Sequence, residues 1–184
     1  PDGLNSFPGY RAKGSLVRTA LGLYSFSEAQ LSALPKVLRE VVQDPPTSNR
    51  WVPEVEYTAL CLALADAHGW SDREFAGFWY ELTKSLIASV LYAGLLRFLT
   101  PKLLLRTAPL RWAHFHQGVT LKTRPAPGGL WAEIEFPEGL VPPICTRAYA
   151  DVLQATVDSS GRRTQTQLVE ETKSKAVYRM FELG

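Results

Sequence analysis

The sequence predicts an α+β fold. Helices pack on a roughly four-stranded antiparallel sheet, and a helical N-terminal half is followed by hairpin, helix and hairpin. Three observations predict it. Apolar residues recur every three to four positions in successive runs from Ser15 to Leu99, as amphipathic helices require. At Val119 the period changes to two: Val119, Leu121 and Thr123 alternate with Thr120, Lys122 and Arg124, and Leu130, Ala132, Ile134 and Phe136 alternate with Trp131, Glu133 and Glu135 around the turn Pro125 to Gly129. A helical stripe of Ile144, Ala148, Val152 and Ala155 then separates this hairpin from a second, whose strands are Thr164 to Glu171 and Ala176 to Leu183.

Taken in order, residues 1–13 are polar and rich in Gly and Pro and read as an N-terminal arm, with residues 14–184 as a single α+β domain. Ser15 suits the N-cap of a first helix. Ser27-Glu28-Ala29-Gln30 has capping-box spacing, and Pro35 opens a helix through Val41. Asp44 to Asn49 is a break. Trp51-Val52 anchors the next element, and Pro53 suits a first helical position. Val55, Ala59, Leu62 and Ala63 form one apolar face, which stops at His68-Gly69. Ser71 to Glu74 caps a long helix to about Leu99, apolar on nearly every side after Ser85, so either the core or a second subunit covers it. Ser85, Ala88, Ser89 and Ala93 are small enough to admit another helix, from the same chain or from a homodimer partner. A shorter helix, Lys102 to about Arg106, follows Thr100-Pro101, and Pro109 leads into Trp112.

Composition bounds the function. With 184 residues, 46% hydrophobic and 21% charged, the chain can bury one substantial core. A formal net charge of +2 is too small to argue for nucleic acid, which needs a dense basic stripe. Cys61 and Cys145 each lie in an apolar helical pattern and read as buried thiols of a reducing compartment, placing the protein in the cytoplasm. The apolar run Leu86 to Leu96 is bounded by Lys84 and Arg97, short of the roughly 20 residues that span a bilayer.

One stretch stands out. From Leu82 to Ala132 there is no Asp or Glu, while Lys84, Arg97, Lys102, Arg106, Arg111, Lys122 and Arg124 all fall within it. Its first half is explained by burial, and its second half by basic side chains reaching the surface with Trp112, His114 and His116. Acidic residues on both flanks offer intramolecular neutralisation, and a forked guanidinium on an acidic ligand is the functional alternative for Arg97, Arg106 and Arg111. Large rings with polar ends line pockets as well as cores, and Trp79, Tyr92 and Trp112 are the strongest candidates. On a strand, His114 and His116 would share a side. Without a third ligand nearby they read as pocket lining or surface polar contacts, with no metal and no cofactor. No G-x-S-x-G, G-x-G-x-x-G or G-x-x-x-x-G-K-[ST] occurs, so triad hydrolysis and nucleotide binding lack their usual frames.

Arg50-Trp51-Val52-Pro53-Glu54-Val55-Glu56-Tyr57, the Phe75 to Leu99 helix, Leu110-Arg111-Trp112-Ala113-His114-Phe115-His116-Gln117-Gly118 before a hairpin, and the closing helix and hairpin carry a resemblance. Together they resemble a myxobacterial uncharacterised protein family, similar in fold to the 4-vinyl reductase domain and more distantly to TRAPP subunits and haem-nitric-oxide-binding domains. The resemblance implies a small-molecule-sensing or scaffolding module, often dimeric. Two features of those relatives are missing: a cysteine-rich end after Cys145, and the Tyr-x-Ser-x-Arg signature of the haem-binding branch.

The reading is a non-catalytic regulatory module for ligand sensing or protein interaction, with an aromatic-lined hydrophobic pocket beside a basic segment. An assembly subunit without ligand is the alternative, and a small enzyme comes third. Its ligand-binding residues are Trp79, Tyr92, Arg97, Arg106, Arg111, Trp112, His114 and His116, and its partners an apolar or acidic small molecule and a second copy or another protein.

Overall fold

The computed structural model of the chain describes residues 3, 6–88, 101–159 and 164–182. Its helical half comprises α1 (Gly14–Leu23), α2 (Glu28–Ala33), α3 (Lys36–Gln43), α4 (Glu54–His68), α5 (Asp72–Ala88) and α6 (Pro101–Phe115). The helix α7 (Pro143–Asp158) lies between two hairpins, β4 (Thr120–Ala126) with β5 (Gly129–Glu135), and β6 (Thr164–Glu171) with β7 (Lys175–Glu182). Three short strands, β1 (Arg11–Lys13), β2 (Trp51–Pro53) and β3 (His116–Gln117), form a separate small sheet.

Local chemistry sets the helix starts. Ser27 and Gln30 exchange side chain and backbone in a complete capping box, with Ser27 N–H donating to Gln30 Oε1 at 2.8 Å. Ser71 and Glu74 do the same before α5, and the Ser71 N–H reaches the Glu74 carboxylate at 2.8 Å. The first helix departs from expectation: it begins at Gly14, and Ser15 caps nothing with its side chain. Main-chain carbonyls replace the cap, since the Gly14 N–H donates to Arg50 O at 2.7 Å and the Ser15 N–H to Ser48 O at 3.2 Å. The approach is so close that a Cβ on Gly14 would collide with the Thr47 carbonyl.

Two further expectations are corrected. Residues 11–13, read as the end of an arm, form the central strand of the small sheet, with Ala12 paired to both Val52 and His116. A three-residue strand is too short to show a period. Nor does the helix end before Pro109: α6 runs through it to Phe115. Proline removes one N–H from the ladder. Ala108, Trp112 and Phe115, four and three residues apart, keep one stripe packed on the interior, and that burial offsets the loss.

The larger sheet is antiparallel in the order β4-β5-β7-β6. Its register sets Leu121 opposite Ile134, Ala132 opposite Tyr178 and Leu130 opposite Met180. All six side chains are buried, whereas Lys122, Trp131, Glu133 and Arg179 face outward, as period two demands. The inner face is covered by α6, which packs on β4, and by α7, which packs on β6 and against α5. The long helix is seen as far as Ala88; the expected continuation to Leu99, with Val90, Tyr92, Ala93 and Arg97, lies outside the described residues. Cys61 and Cys145 are free buried thiols, and burial raises both, Cys145 to about 12. Among the described residues no helix is long and apolar enough to cross a membrane.

Candidate functional site

The inner faces of α5, α6, α7 and β4 do not meet completely. They leave a cavity of about 100 Å³. Leu16, Leu82, Leu86, Leu121, Val152 and Leu153 supply most of its apolar wall, and Trp79, Trp112, Tyr149, Arg111 and His116 complete it.

The aromatic part of the wall is a chain of edge contacts. Trp79 meets Tyr149 at 5.6 Å between ring centroids with the planes at 85°, and Tyr149 meets Trp112 at 5.5 Å and 84°. Trp112 in turn stacks on His116 at 4.3 Å and 21°, while its Nε1–H donates to Val119 O at 2.9 Å. Such geometry suits ring quadrupoles and holds each ring rigidly. Two hydroxyls on the wall are already committed: Thr83 donates to Trp79 O and Thr156 to Val152 O, one turn back in each helix. Burial, with the nearby Glu54 carboxylate, pushes the Tyr149 phenol well above its ordinary range.

The polar centre of the site is assembled by the small sheet. Glu54 follows β2 directly and His116 opens β3, and both strands flank β1. The two side chains therefore meet although 62 residues separate them: both Glu54 carboxylate oxygens lie 3.1 Å from His116 Nδ1. Glu54 is fully buried and His116 is 6% exposed, so water screens the pair little. Glu54 also occupies the first turn of α4, where the positive end of the helix favours a carboxylate.

The eight sequence-derived candidates separate accordingly. Trp79, Arg111, Trp112 and His116 come together on the cavity wall. Arg106 and His114 are exposed and away from it, and Tyr92 and Arg97 lie outside the described residues. His114 ends a helix and His116 starts a strand, so the two do not share a face as a strand would have required. Trp112 and His116 are buried, against the expectation that they reach the surface with the basic side chains. Arg111 bonds Thr107 Oγ1 at 3.1 Å, and Lys122 is neutralised by Glu135 at 2.6 Å. Glu54, Tyr149, Thr83 and Thr156 were missed. For Glu54 the only sequence signal is its place in the first turn after Trp51-Val52-Pro53, which reads as an exposed helix-start acid.

No family model and no curated protein matches the chain. Solved structures do. A point mutant of T. tengcongensis H-NOX superposes with a TM-score of 0.62 at 13% identity, over 93% of this chain and 95% of that one. A Cs H-NOX mutant carrying 4-cyano-L-phenylalanine gives 0.63 at 14% identity, over 94% and 97%. The property shared at such identities is architecture: this chain has an H-NOX-like α+β fold.

Proposed function

We propose that the protein is a regulatory module that senses a small apolar molecule held in the cavity between α5, α6, α7 and β4. The observation that carries this reading is the cavity itself: an apolar space of about 100 Å³ walled by rigid stacked rings, in a fold shared with H-NOX domains. An apolar cavity of this order accepts a ligand of about one ring. Among the described residues no nucleophile and base converge there, which favours binding over catalysis.

Haem does not fit the described residues. A macrocyclic cofactor needs a cleft of roughly 300 Å³ or more, and the space between these elements is about 100 Å³. No group of three potential metal ligands gathers among the described residues. The reading thus separates fold from cofactor.

Benzene at about ten times its dissociation constant should raise the melting temperature by about 3–6 °C, from about 1.4 kcal/mol of linkage in a chain of this size. Ala108→Leu, which adds bulk to the wall, should cancel the shift. If wild-type protein shows neither a thermal shift nor chemical-shift changes at saturating benzene, the sensing reading fails.

Kinship with the myxobacterial family and the 4-vinyl reductase domain belongs to the same proposal, supported by the Arg50–Tyr57 and Leu110–Gly118 segments, and buried free thiols favour a cytoplasmic setting. One observation favours an assembly role as well. Leu103 and Leu110 lie seven residues apart on α6 and are 42% and 76% exposed, a short apolar stripe suited to a second copy. Leu110→Glu should convert a dimer to monomer in sedimentation velocity with no change in benzene binding.

A further inference from the structure

We infer that the cavity selects a compact apolar molecule bearing one hydroxyl or N–H donor, of the size and chemistry of a phenol, and that His116 Nε2 accepts that donor. The inference rests on the ligand-binding reading above and specifies the ligand's class. It begins with Glu54. A carboxylate only accepts hydrogen bonds, so with both oxygens 3.1 Å from Nδ1 it selects the ring form that carries its proton on Nδ1. In neutral imidazole the other nitrogen is then a lone-pair acceptor.

Among the described residues none uses that acceptor. The hydrogen bonds of His116 all run from Nδ1 to Glu54, and Nε2 is not among the buried polar atoms sealed away without a partner. His116 lines the cavity, and its ring cannot turn away, because one face stacks on Trp112 at 4.3 Å while Glu54 holds one edge. The ring is a fixed acceptor on a mostly apolar wall. Among the other polar side chains there, the Thr83 and Thr156 protons are committed to helix carbonyls, Arg111 bonds Thr107, the Trp79 indole N–H can only donate, and the Tyr149 phenol oxygen is a weaker acceptor than a neutral imidazole nitrogen.

A single neutral hydrogen bond formed in such a site favours the donor-bearing ligand by roughly 5- to 10-fold over its isostere. Phenol, anisole and benzene test this on the wild-type protein, which avoids disturbing the buried pair. Phenol should bind about 5- to 10-fold more tightly than benzene, and anisole, whose oxygen has no proton, should lose that advantage. Phenol alone should move the ¹⁵N resonance of His116 Nε2, read in long-range ¹H–¹⁵N spectra of the imidazole. If phenol and benzene bind equally and the His116 resonance stays in place, this inference is overturned while the cavity remains a ligand site. An anisole affinity equal to that of phenol also overturns it, and if none of the three binds, both readings fall.

Discussion

Glu54→Ala is expected to destabilise the protein by about 2–4 kcal/mol and to lower its melting temperature by roughly 4–16 °C, the cost of a buried donor left without its partner together with the space the side chain vacates. The loss has two sources. His116, 6% exposed, would retain a polar Nδ1 with no partner, and β3 would lose the side-chain tie that joins it, across β1, to the start of α4. Glu54→Gln keeps an acceptor of the same shape and should cost about 1–2 kcal/mol, since a hydrogen bond survives but its charge assistance does not. The decisive comparison is Glu54→Leu with His116→Leu. Each single change should be severe, whereas the pair together should recover most of the loss, because replacing both members of a buried pair by apolar groups is often near neutral. Chemical denaturation of the four proteins measures the coupling. Additive losses would show that Glu54 and His116 stabilise the fold independently of each other.

That pair also marks the limit of what the sequence discloses. The first hairpin was legible because β4 and β5 keep their buried side chains on one face, and alternation survives in the letters, as in Leu130, Ala132 and Ile134 against Trp131, Glu133 and Glu135. The capped helices were legible for a similar reason: Ser27 with Gln30, and Ser71 with Glu74, are local devices whose partners lie three residues apart. The long-range contacts were not. Nothing near Glu54 announces a histidine 62 residues away, and the three-residue β1 that brings them together has no periodicity to detect. Pro109 misled for an energetic reason, since its local preference for ending a helix is overridden by the burial of Ala108 and Trp112. Of the aromatic residues, Trp79 and Trp112 lie on the cavity wall whereas Trp131 lies on the outer sheet face, an arrangement not visible in the letters. Ring chemistry favours both core and pocket, and only the packing of α5 on α7 sets Trp79 against Tyr149.

The acid-free stretch divides along the same line. Leu82 and Thr83 are buried, so carboxylates there would be expensive, whereas Arg106, Lys122 and Arg124 lie at the surface. Arg124 and Arg179 both rest on Trp131 of the outer sheet face, at 5.4 and 5.8 Å, well apart from the cavity wall. The basic residues and the apolar cavity are therefore largely distinct features, joined at Arg111.

Trp79→Ala carries the other large expected effect, a loss of about 3–5 kcal/mol and a melting point lower by roughly 6–20 °C. Trp79 is 3% exposed and touches Tyr57, Phe75, Phe78 and Tyr149 edge-on, so truncation removes packing from two helices facing α5 at once. The same change opens the cavity wall, and the enlarged space should take ligands too large for the wild type, naphthalene being a suitable probe. Trp79→Phe separates packing from polarity. The indole Nε1–H is buried with no hydrogen-bond partner, a penalty of about 1–3 kcal/mol that phenylalanine removes along with part of the ring. Its lost contacts and its relieved donor should nearly cancel, leaving Trp79→Phe within about 1.5 kcal/mol of wild type. A loss for Trp79→Phe as large as that for Trp79→Ala would mean that the Nε1–H is satisfied in solution, by a water or by a ligand of the cavity. Comparing the tryptophan side-chain N–H resonances of wild type and Trp79→Phe, with and without benzene, would then identify which.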